Sequence, residues 1–422
     1  VRKVRSGLIA VLDVGSFKIS CFIAQIMPDN TLRIIGIGHQ HSLGIKNGNI
    51  TDIKQAESSI IAAVTSAEKM ADEVIDKVVV TASGGNPVSI RVLSSVEISG
   101  DSVSPRDIKR AILRAKEQFD DPTRRIVHAV PVSFVIDDIR GIDDPIGMTG
   151  KELIADIHLI TISESTFKNL TNCISNCELD IQDFVISSHA SGLTCLTEDE
   201  KELGVTLIEL GGGVTGMSSF VNGKNIFTDS VSYGGINVTT DIARGLATTK
   251  EIAERVKNLY GSAMPSASDR DTTIDVPQFS EETGRYSEEM LIPRSELVGV
   301  ISPRIEEIFE MVKKKIAGSS SGHAISQHYV LSGGASQLLG IREMATKILG
   351  GNVRLGRPEL IEGMADSTAN AAFSSCAGLI NYISMNYHVY DKVVPVERYI
   401  QQARAEGSGF VGSVFGWLKA NF

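Results

Sequence analysis

Three glycine-centred turns punctuate this chain: Asp13-Val-Gly-Ser-Phe-Lys18, Glu209-Leu-Gly-Gly-Gly-Val-Thr215 and Leu331-Ser-Gly-Gly-Ala-Ser336. Each follows directly on a short apolar, β-branched run: Leu8 to Leu12, Val205 to Leu210, and Tyr329 with Val330. A strand that ends in glycines leaves backbone N–H groups bare and lets the chain pass close to a polyanion. An acidic residue opens the first two turns. The repetition predicts a nucleotide gripped between two similar halves.

The flanking pattern supports two halves. Leu8–Val14, Ile19–Ile26 and Leu32–His39 read as consecutive strands, Ser42–Asn49 as a loop, and Asp52 to about Glu73 as a helix. That helix is called by apolar spacing at Ile53, Ala56, Ile60, Ile61, Val64 and Ala67, with Asp52 placed to assist its start. Lys77–Ala82 is a buried strand. The same order begins again with Gly204–Leu210, Val214–Val221 and Asn225–Ser232, followed by helices from about Gly235 to Leu259. Two α/β halves in 422 residues, each with a glycine turn after its first strand, indicate an internal duplication with more than one core.

Two stretches interrupt the duplication. Residues 84 to about 163 hold strands at Val88–Ile98, Arg125–Asp137 and Ile154–Ile162, and a helix at Ser104–Gln118. Ser104, Pro105 and Asp107 form a helix-start signal, so this is an inserted module too long to be a loop. Residues 262–290 are polar and turn-rich and predict an exposed hairpin. A helix follows over Arg294–Ile316, whose Lys313-Lys-Lys315 run complements the helix dipole.

A formal charge of −10 excludes nucleic acid as the main partner, and any membrane contact must be local. Cys21, Cys173, Cys177, Cys195 and Cys376 are too sparse for a disulfide framework and read as buried thiols. No signal peptide is predicted behind Val1-Arg-Lys-Val-Arg5, and no apolar run approaches the ~20 residues that span a bilayer. The expectation is a cytoplasmic protein.

The last fourteen residues differ from the rest. After a polar stretch at 397–408, Phe410, Val411, Val414, Phe415, Trp417, Leu418 and Phe422 fall within an arc of ~160° on a helix turning ~100° per residue. Such a segment suits lying in the headgroup region of a membrane. Lys419 is the one basic residue there, so apolar insertion rather than attraction to anionic lipid is expected to hold it.

The three glycine turns resemble the two phosphate loops and the adenosine motif of the actin/Hsp70/sugar-kinase superfamily. Within it the chain resembles the FtsA family of bacterial division proteins. The resemblance is carried by Leu196-Thr-Glu-Asp-Glu-Lys-Glu-Leu-Gly-Val205, Tyr233-Gly-Gly-Ile-Asn-Val-Thr-Thr-Asp-Ile-Ala243 and Arg294-Ser-Glu-Leu-Val-Gly-Val-Ile-Ser-Pro-Arg-Ile305, and covers residues 7–385 and the tail 409–422. It implies an α/β fold of duplicated actin-like (ribonuclease H-like) domains around an interdomain nucleotide cleft, with an inserted small α+β subdomain and a C-terminal amphipathic helix. The expected bounds are 1–83, 164–190 and 359–385 for the first actin-like domain and 84–163 for the insert. The second domain takes 191–232 and 302–358, and its smaller subdomain 233–301. A linker at 386–408 leads to the membrane helix at 409–422.

Physical chemistry assigns roles in the cleft. Asp13 and Glu209 cannot bind phosphate but can hold Mg²⁺, largely through its waters, as it bridges the phosphates of ATP. Lys18 would neutralise phosphate charge, and N–H groups around Gly15, Ser16, Gly211, Gly212 and Gly213 would cradle oxygens. Thr215 and Ser336 complete the predicted nucleotide set, and Gly333 and Gly334 would let the backbone lie flat against the adenine or α-phosphate side. Glu254 and Lys257 share one face of the Thr249–Leu259 helix. Alone they read as a surface salt bridge, whereas the resemblance implies that they contact the ribose and adenine edge.

The chain also departs from the superfamily pattern. Gly216 stands where an aspartate is usual, Glu209 where Asp is commoner, and the helix start at Ser187-Ser188-His189-Ala190-Ser191 lacks a water-orienting Glu or Gln. Weak or negligible ATP turnover is therefore expected. His189 is either a substitute base or a packed histidine. The resemblance implies self-association, binding of the FtsZ C-terminal tail, recruitment of later division proteins, and a place on the cytoplasmic face of the inner membrane at the division site. A pilus-assembly actin-like protein and a small-molecule kinase are the alternatives.

Overall fold

The structure is a computed structural model that describes residues 7–27, 31–280, 285–319 and 327–389. The chain opens with β1 (Leu8–Val14), β2 (Lys18–Ile26) and β3 (Leu32–His41). A two-rung ladder of β4 (Ile45–Lys46) and β5 (Asn49–Ile50) occupies the expected loop, before α1 (Ile53–Ala71) and β6 (Lys77–Ala82). The insert follows as β7 (Val88–Glu97), α2 (Pro105–Glu117), β8 (Arg124–Ile136), β9 (Ile139–Ile142) and β10 (Glu152–Ser163). The first lobe then resumes with α3 (Glu164–Asn176), β11 (Asp180–Ile186) and α4 (Ser187–Cys195).

After the short α5 (Glu198–Leu203), the second lobe begins with β12 (Val205–Leu210), β13 (Thr215–Val221) and β14 (Lys224–Val231). Helices α6 (Gly235–Gly245) and α7 (Lys250–Tyr260) lead to a hairpin, β15 (Thr273–Ser280) and β16 (Arg285–Pro293). It closes with α8 (Arg294–Ala317), β17 (His328–Ser332), α9 (Ile341–Leu349) and β18 (Asn352–Leu355), and α10 (Ser374–Val389) returns to the first lobe.

The duplication is visible in the strand order. One sheet runs β11-β6-β1-β2-β3 and the other β18-β17-β12-β13-β14. In both, the first three strands pair antiparallel and the remaining two add in parallel. The central strands β1 and β12 are buried almost end to end, which is why they read as continuous apolar runs rather than alternating ones. Their C-terminal ends carry the first two glycine turns.

Local chemistry explains the boundaries. The Asp52 carboxylate accepts from Gln55 N at 3.1 Å to start α1, and Asp72, at φ 53°, ends it one residue after Ala71. The stripe Ala56, Ile60, Ala63, Val64 and Ala67 packs on β3 across glycines: a Cβ on Gly38 would lie 2.0 Å from the Ala63 carbonyl. Helix α10 covers the other face of the same sheet with Cys376, Leu379 and Ile380.

Three expectations need correction. The insert has a fourth strand, because Asp137, at φ 50° and expected as the last residue of the strand Arg125–Asp137, instead turns the chain from β8 into β9. The hairpin expected at 262–290 forms, but one face is inside: Ile274, Val276 and Ile292 join the second lobe's core while Leu291 stays exposed. Helix α10 runs to Val389, past the expected linker start at 386. The rest of that linker and the amphipathic tail, with Phe410, Val411, Val414, Phe415, Trp417, Leu418 and Phe422, lie outside the described residues. Among the described residues no helix is long and apolar enough to cross a membrane.

Candidate functional site

The ends of β1 and β12 face each other across a cavity of about 850 Å³, and all three glycine turns line it. The first two turns have the same internal bond: Gly15 N donates to Lys18 O at 3.1 Å, and Gly211 N to Val214 O at 2.9 Å. They also touch one another. A Cβ on Gly212 would lie 2.6 Å from Phe17 Cβ, and one on Gly213 2.8 Å from Ser16 Oγ, so the second turn must be free of side chains to pack against Ser16 and Phe17 of the first. Ser16 Oγ accepts from Gly48 N at 2.8 Å and ties the turn to the β4–β5 ladder. The third turn rides on the end of β12 through Gly333, at φ 84°, where a Cβ would lie 2.5 Å from Leu210 O. Gly211 O and Gly212 O accept from Gly235 N and Ile236 N at 2.9 and 2.7 Å, which fastens the start of α6 to the second turn.

The charged groups sit where the glycine turns predicted, each with partners that the sequence did not announce. Asp13 is buried at the cleft wall and its Oδ1 accepts from Thr81 Oγ1 at 2.6 Å. Burial pushes its carboxyl up, opposed by Lys18 and the Thr81 hydroxyl. Glu209, on β12, accepts from the hydroxyls of Ser191 at 2.7 Å, Ser375 at 2.6 Å and Ser187. Burial pushes Glu209 up as well, and the charge on Asp13 adds to it while the serines oppose it. Lys18 does not reach into open space: its Nζ donates to Ala372 O at 2.6 Å and lies 3.2 Å above the Phe373 ring. Burial holds the Lys18 ammonium down, against Asp13 and Glu209.

Glu254 and Lys257 pair with each other, as their shared helix face predicted, but as a half-buried pair rather than a surface one. They form an ion pair at 2.6 Å, Lys257 also donates to Thr239 Oγ1 at 2.9 Å, and the pair faces the cleft. Asn258, Tyr260, Thr272 and Arg294 stand on the same wall, and nothing in their spacing singled them out. Two expected contacts are not on the cleft surface. Thr215 is buried with its hydroxyl on Tyr233 O at 2.9 Å, and Ser336 spends its hydroxyl on Gly333 O at 2.7 Å. Both hydroxyls brace the backbone behind the wall.

The unusual positions have physical reasons. Gly216 pairs with Glu209 across β12 and β13, and a Cβ there would lie 3.0 Å from Ser188 Cβ and 3.9 Å from Glu209 Oε2. An aspartate at 216 would crowd Ser188 and repel Glu209. His189 is the packed histidine. It is half-buried outside the cleft lining, takes a hydrogen bond from Asn225 Nδ2 at 3.0 Å, stacks on Phe220, and is held down to about 4 by desolvation.

The insert reaches both lobes at buried polar contacts. His158 Nδ1 donates to Asn225 O at 2.9 Å, its Nε2 meets Ser89 Oγ at 2.8 Å, and Thr228 N donates to Ser89 Oγ at 2.7 Å. On the other side, Ile186 N donates to His128 Nε2 at 3.1 Å.

Comparison with known proteins agrees with this architecture. A family model described as "Cell division protein FtsA" matches residues 206–378, and one described as "SHS2 domain inserted in FTSA" matches residues 84–161, within the 84–163 expected as an insert. The chain is 37% identical over 437 residues to the cell division protein FtsA of Rhizobium meliloti (strain 1021), covering 99% of this chain and 96% of that one. It is 30% identical over 382 residues to the Escherichia coli (strain K12) protein, covering 89% and 90%. Among solved structures it is similar in fold to a PilM-PilN type IV pilus biogenesis complex, with a TM-score of 0.62 at 13% identity over 89% of this chain and 98% of that one. MreB5 of Spiroplasma citri bound to ADP has a TM-score of 0.56 at 13% identity, covering 91% and 99%.

Proposed function

The chain belongs to the FtsA family of cell division proteins, and from that premise we propose that it binds ATP in the interlobe cleft as a membrane-tethered, actin-like part of the division apparatus. The observation that carries the nucleotide reading is the meeting of the first two glycine turns at the cleft wall, with one buried carboxylate contributed by each lobe. The fold neighbour bound to ADP is consistent with it.

In this reading the turns at Gly15–Ser16 and Gly211–Gly213 cradle the phosphates, and the adenosine lies toward Gly333, Gly334, Glu254 and Lys257. Lys18 exchanges the Ala372 carbonyl for phosphate oxygen. Asp13 and Glu209 are hard oxygen donors from opposite lobes, and the charge on Asp13 adds to the electrostatic cost of Glu209, a combination that fits a hydrated Mg²⁺ between them. When bound, that ion would neutralise phosphate charge.

Turnover is proposed to be weak. Of the other carboxylates on the cleft wall among the described residues, Asp229 is paired with Lys315 at 3.0 Å and Glu254 with Lys257. Gly216 offers no carboxylate, and His189 is packed elsewhere. Among the described residues, no cleft-wall carboxylate other than Asp13 and Glu209, which this reading gives to the cation, is left without a cationic partner to orient an attacking water.

The proposal extends to the partners. The tail at 409–422 anchors the protein to the cytoplasmic face of the inner membrane at the division site, where it self-associates, holds the FtsZ C-terminal tail and recruits later division proteins. A pilus-assembly role is less favoured, because the division proteins share 30–37% identity and the pilus complex 13%.

Calorimetry with Mg-ATP tests the cleft. Lys18→Ala removes a charge-assisted contact of about 1.5–3 kcal/mol and should weaken binding by roughly one to two decades. Unchanged affinity would remove Lys18 from the phosphate site. Liposome co-sedimentation tests the tail: Trp417→Glu should release the protein while ATP affinity stays the same, and undiminished sedimentation would place the anchor elsewhere.

A further inference from the structure

Asp13 and Glu209 occupy equivalent places in the two lobes but are held very differently. Asp13 has one hydroxyl donor, Thr81, from the neighbouring strand of its own sheet. Glu209 has three, from Ser187 and Ser191 one turn apart on α4 and from Ser375 in the first turn of α10. Helices α4 and α10 cross in backbone contact, since a Cβ on Gly378 would lie 1.8 Å from Ala190 O. The donors therefore stand on a stiff base. Ser191 is fully buried behind the cleft wall and does not line it, whereas Ser187, Ser375 and Glu209 do.

A carboxylate offers about four acceptor directions, and here three are filled by hydroxyls that can donate nowhere else at the same time. That arrangement fixes the rotation of the carboxylate and leaves little capacity for a direct metal bond. It suits a group that accepts from one water of a hydrated cation. We infer that Ser187, Ser191 and Ser375 are positioning residues that hold Glu209 in a single orientation toward the hydrated Mg²⁺ of the bound nucleotide, an inference that rests on the nucleotide reading above. Partners behind a metal-binding group commonly set metal affinity by 10–100-fold. Ser191 isolates this effect, because it can influence the cation only through Glu209.

The experiment uses the full chain and two binding arms, ATP with titrated Mg²⁺ and ATP in EDTA. For Ser191→Ala the Mg²⁺ concentration that half-saturates the Mg²⁺-dependent gain in ATP affinity should rise about tenfold or more, with affinity in EDTA unchanged. Ser191→Cys, which keeps the shape but donates weakly, should behave like alanine, and Ser191→Thr should restore the wild-type Mg²⁺ requirement. If Ser191→Ala does not fold, Ser191→Cys, which fills the same space, carries the same expectation.

An unchanged Mg²⁺ requirement in the alanine variant would overturn the inference. So would equal losses in both arms, the signature of simple misfolding of the cleft. A wild-type chain that binds ATP in neither arm would overturn the nucleotide reading itself and the inference with it, a result distinct from the other two.

Discussion

The two lobes repeat one sheet and differ in almost everything attached to it. Both run antiparallel through three strands and add two in parallel, yet the first lobe takes its insertion after β6 and the second after β14. Their helices also meet the sheets differently. In the first lobe α1 lies almost on the backbone of β3 across Gly36 and Gly38. In the second, α8 stands off on Ile305, Ile308, Phe309 and Val312, all buried. Strand order is fixed by backbone pairing around a buried central strand, whereas a connection that leaves the sheet edge intact is free to grow. The contrast locates where each lobe is brittle: a cavity harms the second lobe and an added atom harms the first.

The largest expected effect is in the second lobe. Phe309→Ala removes a fully buried ring and should cost about 3–5 kcal/mol, seen as a large drop in the calorimetric unfolding midpoint. Gly38→Ala should cost about 1–3 kcal/mol, because its Cβ would meet Ala63 O at 2.0 Å and α1 must move away. Indifference to Gly38→Ala would break the comparison, since it would mean that α1 has room to spare.

The sequence announced the part of the molecule that repeats and the start of one helix in the insert. Apolar runs at Leu8–Val14 and Val205–Leu210 ending in glycines identify both central strands and both turns, and Ser104 with Asp107 marks α2. Contacts made by common residues far apart in the chain were not legible. Ser375 lies 166 positions from Glu209, and Ala372 lies 354 positions from Lys18. A serine carries no signal of its own until the fold brings it to a buried carboxylate. Thr215 and Ser336 were legible as turn residues, but their hydroxyls satisfy the carbonyls of Tyr233 and Gly333 rather than face the cleft. The β8–β9 turn was not legible because Asp137 reads as the last residue of the strand Arg125–Asp137 and is in fact its point of reversal.

The first lobe's insertion ties the lobes together through His158, and pH tests that tie. Burial lowers His158 and His189 to about 4, so the unfolded chain binds their protons more readily than the folded one below about pH 6.5. Their neutral, packed forms stabilise the fold fully above that pH, and stability falls as pH drops toward 4. At ~1.4 kcal/mol per pH unit, each should cost about 2 kcal/mol between pH 7 and pH 5. Asp13, Glu209 and Asp183, raised by burial, act with the opposite sign, so the useful quantity is the difference between proteins. His158→Gln should be less stable at pH 7 and lose less on going to pH 5 than the wild type. Parallel pH curves for the two proteins would show that the insert is not held through this imidazole.

The smallest effect belongs to the exposed contact between the same two bodies. Lys224 of β14 and Asp143 of the insert approach to 3.1 Å, but the aspartate side chain is 68% exposed. Water and salt screen such a pair, and its coupling should be about 0.2–1 kcal/mol. A double-mutant cycle of Lys224→Ala and Asp143→Ala, read in unfolding midpoints at low and high salt, measures it directly. The coupling should shrink further at high salt, while the cost of His158→Gln at pH 7 should change little with salt, because its bond to Asn225 is buried and that to Ser89 half-buried. A coupling well above 1 kcal/mol would reverse the ranking. The insert would then be fastened to the second lobe by surface charge rather than by the buried hydrogen bonds of His158, and it would loosen with ionic strength instead of with acid.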